Sequence, residues 1–294
     1  MINIASTSHI PVMPKEVLSF MEVNPSGQYI DGTCGPGGHS KSILSKLSNN
    51  GFLLCLDIDN EAIKICRKNL INISPNFHIE KRSYSMFPEV LNELGIEKVD
   101  GILLDLGLSS LQLDSKIRGF SFMEDSILDM RFDQQSKNNA SDIINKSSMS
   151  ELADIMYYLG EERRSRPIAK KIIEHRPIEK VQELVTIIKK CTPPNKRNKI
   201  MARVFQSFRI AVNDELGNLK NFMQKYIRYL KTGGKIIIIS FHSLEDRIVK
   251  QCFRASSKNG ELSIITKKPI ISSRKEQANN SRSRSAKLRC AVKI

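Results

Sequence analysis

Over its first hundred residues the chain alternates short apolar runs with amphipathic stretches. Gln28 to Asp31, Phe52 to Asp57 and Phe77 to Lys81 read as strands, while His39 to Leu47 and Glu61 to Leu70 between them repeat apolar positions at helical spacing. This is βαβαβ order, the pattern of a parallel sheet with helical crossovers. Met86 to Leu94 reads as a further helix. Val99-Asp-Gly-Ile-Leu-Leu-Asp105 reads as a buried strand, because parallel strands covered on both faces are almost continuously apolar. Ile236 to Phe241, after the Gly233-Gly234 turn, is another such strand. About 130 residues separate these last two strands, far more than a βαβ crossover needs, so something is inserted.

The insertion opens with a Ser-, Asp- and Arg-rich loop from Leu108 to Asn139. Helical periodicity follows in Glu151 to Leu159, Arg163 to His175 and Val181 to Cys191, ending at the Cys191-Thr-Pro-Pro-Asn195 break. Ala202 to Leu230 reads as a helix returning to the last strands. The expected organisation is a discontinuous Rossmann-like domain over residues 1–112 and 202–294, with a helical domain inserted at 113–201. Ser256 to Ser285, rich in Ser, Asn and Lys, is expected to stay partly mobile until RNA or a partner orders it. Ala286 to Val292 can form an edge strand.

Charge sharpens this picture. Lys and Arg exceed Asp and Glu by 15, and the excess is concentrated. Glu161 to Arg209 carries 14 basic and 5 acidic residues, and Thr266 to Ile294 carries 9 and 1, which leaves the remainder close to neutral. Two basic segments on a neutral body suggest a polyanion footprint, whereas a merely solubilising face would spread its charge. The six cysteines are scattered without a Cys-x-x-Cys pair or a His neighbour at ligand spacing, so reduced, mostly buried thiols are expected and no metal is implied. Cys34 in the glycine loop reads as a small apolar filler. With no long apolar run and no secretory pattern, a cytoplasmic protein without a membrane span is expected.

Three stretches carry candidate chemistry. Asp31-Gly-Thr-Cys-Gly35-Pro-Gly37-Gly38-His39 lies between the first strand and the first helix. There, glycines let backbone N–H groups approach a nucleotide-like ligand, and the helix start favours an anionic group. Asp57 ends the second strand, where an acid can accept hydrogen bonds from both hydroxyls of a ribose. Loop and acid together fit an adenosine ligand without separating a nicotinamide cofactor from S-adenosylmethionine. Asp105 ends the fourth strand, at the carboxyl edge where open α/β sheets place reacting groups; capping the next turn through Ser109 or Ser110 is its alternative role. His242 stands just past a later strand, and Ser243 with Asp246 resembles a helix-capping box.

Together these stretches resemble the bacterial ribosomal RNA small subunit methyltransferase H (MraW) family of cytosine N4-methyltransferases. The matching residues include Asp31-Gly-Thr with Gly35 and Gly37-Gly-His-Ser40, Asp100 to Gly107, Ser109-Ser110 and Gln112-Leu-Asp114. They continue through Arg118 to Phe122, Leu128 to Arg131, Gly160 to Arg163, Phe205-Gln206, Arg209-Ile210, Val212 to Leu216, Ile239 to Lys250 and Arg284 to Arg289, after a start at His9-Ile-Pro-Val12. The resemblance implies a class I S-adenosylmethionine-dependent methyltransferase sheet with an inserted helical substrate-recognition domain. It implies cofactor positions at Gly37, Gly38, His39, Asp57, Tyr84, Asp105 and Gln112, with Tyr84 standing where relatives often have Phe. The implied substrate is a cytidine in the decoding region of 16S rRNA within the small ribosomal subunit, and the implied enzyme is a monomer or homodimer. Departures are Pro36 for the family's frequent Arg, Leu111 for its usual Pro, Lys199-Ile-Met-Ala202 for a His-Pro-Ala-Thr stretch, and Ser281 for Pro.

Cytosine N4 is a poor nucleophile because its lone pair is delocalised into the ring, so positioning the amine and accepting its proton are the expected tasks. Asp105 is the candidate acceptor and His242 a second residue of the catalytic pocket, with the Ser109-Ser110 backbone shaping it. Two rivals differ in class. A non-catalytic RNA-binding assembly factor would bind the cofactor without methyl transfer, and a nicotinamide-dependent oxidoreductase would perform hydride chemistry. Methylation of DNA is the nearer alternative within the enzyme class.

Overall fold

The computed structural model describes residues 10–113 and 115–294, so His9 and Asp114 lie outside the described residues. In chain order the elements begin α1 (Pro14–Met21), β1 (Gln28–Asp31), α2 (Gly38–Leu44), β2 (Phe52–Asp57), α3 (Asn60–Leu70), β3 (Phe77–Lys81), α4 (Phe87–Glu93) and β4 (Val99–Asp105). Six helices follow: α5 (Ser110–Leu113), α6 (Ala140–Lys146), α7 (Met149–Asp154), α8 (Ser165–Glu174), α9 (Val181–Cys191) and α10 (Arg197–Asn213). The last part comprises α11 (Glu215–Tyr229), β5 (Leu230–Ser240), α12 (Ser243–Lys258), β6 (Leu262–Ile264), β7 (Ile270–Ile271), α13 (Arg274–Asn279) and β8 (Lys287–Lys293).

The strands form one sheet in the order β3-β2-β1-β4-β5-β8-β6, with β7 also paired to β8. β1 pairs parallel with both β2 and β4, so the chain's progression reverses between them. In a doubly wound Rossmann-like sheet that reversal opens a crevice at the carboxyl ends of the strands. Apolar side chains fill both faces. Ile30, Leu54, Ile102 and Ile236 belong to one buried cluster, while Tyr29, Leu53, Leu103 and Ile237 belong to the other. This alternation follows from the two-residue period of a strand covered on both sides.

Leu108–Leu216 forms one compact unit and the rest of the described chain a second. The inserted unit has its own apolar core, including Ile144, Leu152, Ile172, Leu184 and Phe208. Its extent differs from the sequence reading of 113–201. Ile200, Met201, Val204, Phe205 and Phe208 of α10 are part of that core, so the helix belongs to the insertion. Nor is Ala202 to Leu230 one helix: Asp214, in the left-handed region at φ 45°, separates α10 from α11. Asn213 secures the break by donating to the carbonyls of Met130 and Arg209 and accepting from the N–H of Phe132.

Two further expectations are corrected at the C-terminal end. The segment 256–285 is built into β6, β7 and α13, tied down by contacts that composition does not reveal. Glu276 accepts the Met13 N–H at 2.7 Å, Asn280 donates to the Ile10 carbonyl, and the Ser272 hydroxyl donates to the Ser283 carbonyl. The final strand is not an edge. β8 runs antiparallel between β5 and β6, and its Arg289, only 6% exposed, donates to Asp246 Oδ1 at 2.6 Å. Among the described residues, no helix is long and apolar enough to cross a membrane.

Candidate active site

The glycine loop, residues 32–37, connects β1 to α2. Asp31 at its start is buried, accepts the Ser40 hydroxyl at 2.6 Å and receives the Thr33 N–H. Burial pushes its carboxyl up to about 6, against the lowering effect of the Ser40 bond. Gly37 caps α2 at φ 92°, and a side chain there would meet Cys66 Sγ at 3.0 Å. Both conformation and space therefore demand glycine. Cys34 is buried in the same apolar cluster as Cys55 and Cys66, consistent with a filler.

At the end of β2, Asp57 holds the loop from the other side: Oδ2 accepts the Gly35 N–H at 2.8 Å and Oδ1 the Asp59 N–H at 2.9 Å. Burial raises its carboxyl to about 6 even though both bonds favour the charged form. A carboxylate offers roughly four acceptor sites, so two bonds leave capacity for a ribose diol. Tyr84 enters from the turn after β3 and packs edge-on against Phe222, with centroids 5.8 Å apart. It lies beside Gly32, where a Cβ would come within 3.0 Å of the Tyr84 Cβ and 2.5 Å of Leu104. A residue without a Cβ at 32 is what lets Leu104 and the Tyr84 Cβ pack this close to the end of β1.

His39, in the first turn of α2, and Asp105, at the end of β4, meet beside the glycine loop. His39 Nε2 stands 3.6 Å from Asp105 Oδ2, with the side chains 6% and 11% exposed. The Asp105 N–H donates to Thr33 Oγ1 at 2.6 Å, fixing the end of β4 against the glycine loop. Burial disfavours a charged His39 imidazole. The neighbouring Asp105 and Asp31 carboxylates overcome that effect and raise its pKa, with Arg282 opposing them. Both His39 nitrogens and Asp105 Oδ1 are buried without a hydrogen-bond partner within the protein. Unsatisfied polar atoms in such a place are strongly unfavourable unless a ligand completes them.

The structure thus brings Gly37, Gly38, His39, Asp57, Tyr84 and Asp105 to the carboxyl ends of β1, β2, β3 and β4 in one unit. Gln112 belongs to the inserted unit. There its side-chain carbonyl accepts the Ser109 N–H, and its own N–H donates to Ser109 Oγ. His242 is the N-cap of α12 and forms the capping box with Glu245: the Glu245 N–H donates to His242 Nδ1, and Glu245 Oε2 accepts the His242 N–H. This corrects the Ser243–Asp246 box expected from sequence; Asp246 instead binds Arg289. Thr33 and Glu245 are structural residues of the site that sequence reading passed over. The Thr33 contact joins residues 72 apart, and no local pattern announces it.

The sequence pattern of the MraW methylase family matches residues 6–294. A ribosomal RNA small subunit methyltransferase H from Caldicellulosiruptor saccharolyticus is 47% identical, covering 97% of this chain and 99% of the relative. Another of that name from Kosmotoga olearia is 44% identical, covering 98% of each. Among solved structures, an rRNA methylase from Streptococcus thermophilus aligns over 95% of both chains with 9% identity and a TM-score of 0.44. With a full-length family match and relatives of this identity, the chain belongs to the MraW methylase family.

Proposed function

We propose that this chain uses S-adenosylmethionine to methylate the exocyclic N4 of a cytidine in the decoding region of small-subunit ribosomal RNA. The observation that carries the reading is the buried pair His39–Asp105, whose Asp105 Oδ1 faces no partner in the protein. S-adenosylmethionine, when bound, supplies a methyl group activated by its sulfonium. Asp57 would accept from the ribose hydroxyls, Tyr84 would pack on the adenine, and the backbone at Gly37 and Gly38 with His39 would line the methionine end. Gln112 is proposed as a further cofactor residue on the resemblance alone.

In this reading Asp105 accepts a hydrogen bond from the cytosine amine and holds its lone pair toward the methyl group. With S-adenosylmethionine bound, the sulfonium–methyl bond would break as the N–C bond formed, its electron pair leaving with sulfur as the neutral thioether, and the proton that the amine loses would pass to Asp105 or through it to water. His39, drawn toward its charged form by Asp105 and Asp31, steadies the Asp105 carboxylate from the Oδ2 side. Alignment and fixed charge are the sources of rate that such a site provides. A base held within a stack must be exposed first, and the inserted unit is proposed to recognise the RNA around it. His242 is assigned to the capping of α12 with a place at the pocket wall. A cytoplasmic enzyme acting on the small subunit or its RNA follows from the reading.

The test is incubation with S-adenosylmethionine labelled in its methyl group and with unmodified small subunits, free rRNA or DNA, followed by digestion to nucleosides. Label is expected in N4-methylcytidine from the ribosomal substrate. Cofactor binding without transfer would favour an assembly factor. Label in DNA alone would move the substrate class, and hydride exchange with a nicotinamide would replace the reaction altogether.

A further inference from the structure

Within the inserted unit, residues 155–159 following α7 form a π-helical turn, Ile155–Leu159. Single π turns are uncommon and recur at functional sites. Here the turn buries Met156 completely while leaving Tyr157 52% and Tyr158 64% exposed. The two rings stand edge to face, centroids 5.1 Å apart at 86°, so each braces the other. The turn is anchored on α10: a Cβ on Gly160 would lie 2.6 Å from the Arg203 carbonyl, and Gln206 donates to the carbonyl of Leu159.

The surroundings carry both charges: Asp154 and Glu161 beside the turn are exposed, and the cations come from Arg163 and from α10. Arg163 and Lys199 are exposed and Arg203 is half-buried. The buried Glu162 holds Arg203 at 3.5 Å, which fixes where that cation sits. Lys196, Lys199 and Arg203 fall on one face of the helical segment by their spacing of three and four residues. Core positions of protein interfaces are depleted of charge, whereas aromatic faces framed by cations suit single-stranded nucleic acid. Tyrosine also loses little conformational freedom on binding, the less so when already braced.

We propose that Tyr157 and Tyr158, with Arg203 of the helix that anchors the turn and the exposed Lys199 four residues before it on that helix, form a platform on which an unpaired base of the RNA substrate stacks. The proposal rests on the reading of the chain as an RNA methyltransferase, and it assigns the inserted unit a preference for unpaired over duplex RNA.

Binding of a short fluorescent unstructured oligoribonucleotide and of an RNA hairpin duplex is compared by anisotropy for the full chain, with methyl transfer measured in parallel. Tyr157→Leu with Tyr158→Leu is expected to weaken binding of the unpaired RNA about 5- to 150-fold, the range of one to three kcal/mol for a base–aromatic stack. Tyr157→Phe with Tyr158→Phe is expected to bind like the wild type, which separates stacking from folding. Lys199→Glu is expected to flatten the salt dependence by about 0.7 in logarithmic slope, and the Leu pair to leave the slope unchanged. Wild-type affinity in the Leu pair, or an equal loss on duplex RNA, overturns the platform. So does a lower sedimenting mass of the Leu pair, since the tyrosines would then join two copies of the chain. If the wild type transfers no methyl group to RNA, the functional reading fails instead, while Tyr-dependent oligonucleotide binding would still stand.

Discussion

Asp57 shows how one side chain serves two purposes. Its carboxylate fastens the glycine loop through Gly35 and retains acceptor capacity for a ribose. Asp57→Ala should weaken S-adenosylmethionine about 10- to 100-fold, since a hydrogen bond to a charged group contributes roughly 1.5 to 3 kcal/mol; calorimetry showing wild-type affinity would remove it from the site. Its pH dependence has a definite sign. Burial holds the empty-site carboxyl at about 6, so protonation competes with binding below that value. Affinity should fall as pH drops from 7 to 5, and more shallowly in the Ala variant. Asp105→Asn keeps the shape of the side chain but removes the charge facing His39. Turnover should suffer more than cofactor affinity, and equal losses would make Asp105 a binding residue only. These acids were legible because each ends an apolar run. The His39–Asp105 contact was not, because it joins α2 to β4 beside the glycine loop, and a strand-by-strand reading gives no sideways neighbours.

β1 to β4 were legible from alternation and length and fall where the apolar runs place them, whereas β5 begins at Leu230, ahead of the apolar run at Ile236, and takes in the Gly233-Gly234 pair read as a turn. Failures concentrate where tertiary contacts override local signals. β8 reads as an edge because Lys287, Arg289 and Lys293 suggest solvent, yet Arg289 is buried against Asp246 of α12. That ion pair is the element-scale link between the last strand and the helix after β5. Asp246→Asn would leave the guanidinium buried and uncompensated, a situation that costs about 3 to 5 kcal/mol. Denaturant unfolding should register a loss of that size, while Arg289→Met in the same background should recover part of it. No recovery would mean that Asp246 supports the fold by another route.

For the whole molecule, the two basic segments predict how RNA affinity responds to salt. Reversing Arg282, Arg284 and Lys287 to Glu should weaken RNA binding and reduce the logarithmic salt slope by about 0.7 to 0.9 for each phosphate that is no longer neutralised. The structure ranks them: Arg284 is exposed, whereas Lys287 lies 3.8 Å from Asp246 and has part of its charge answered already. An unchanged slope in the folded triple variant would assign this segment to the sheet alone. The basic excess was legible in the composition; its division between a solvent-facing arginine and an internally engaged lysine was not. The insertion between β4 and β5 has a kinetic consequence. Adjacent strands of the sheet are separated by the entire unit Leu108–Leu216, so pairing them in an unfolded chain means closing a very long loop, at an entropic cost that grows with its length. A contiguous unit with its own core can fold early and shorten that loop before the sheet closes. Phe208→Ala, which leaves a cavity only in the insertion, should therefore slow the appearance of cofactor-binding sites during refolding as well as loosening its own core. Refolding at the wild-type rate would show that β4 and β5 find each other without its help.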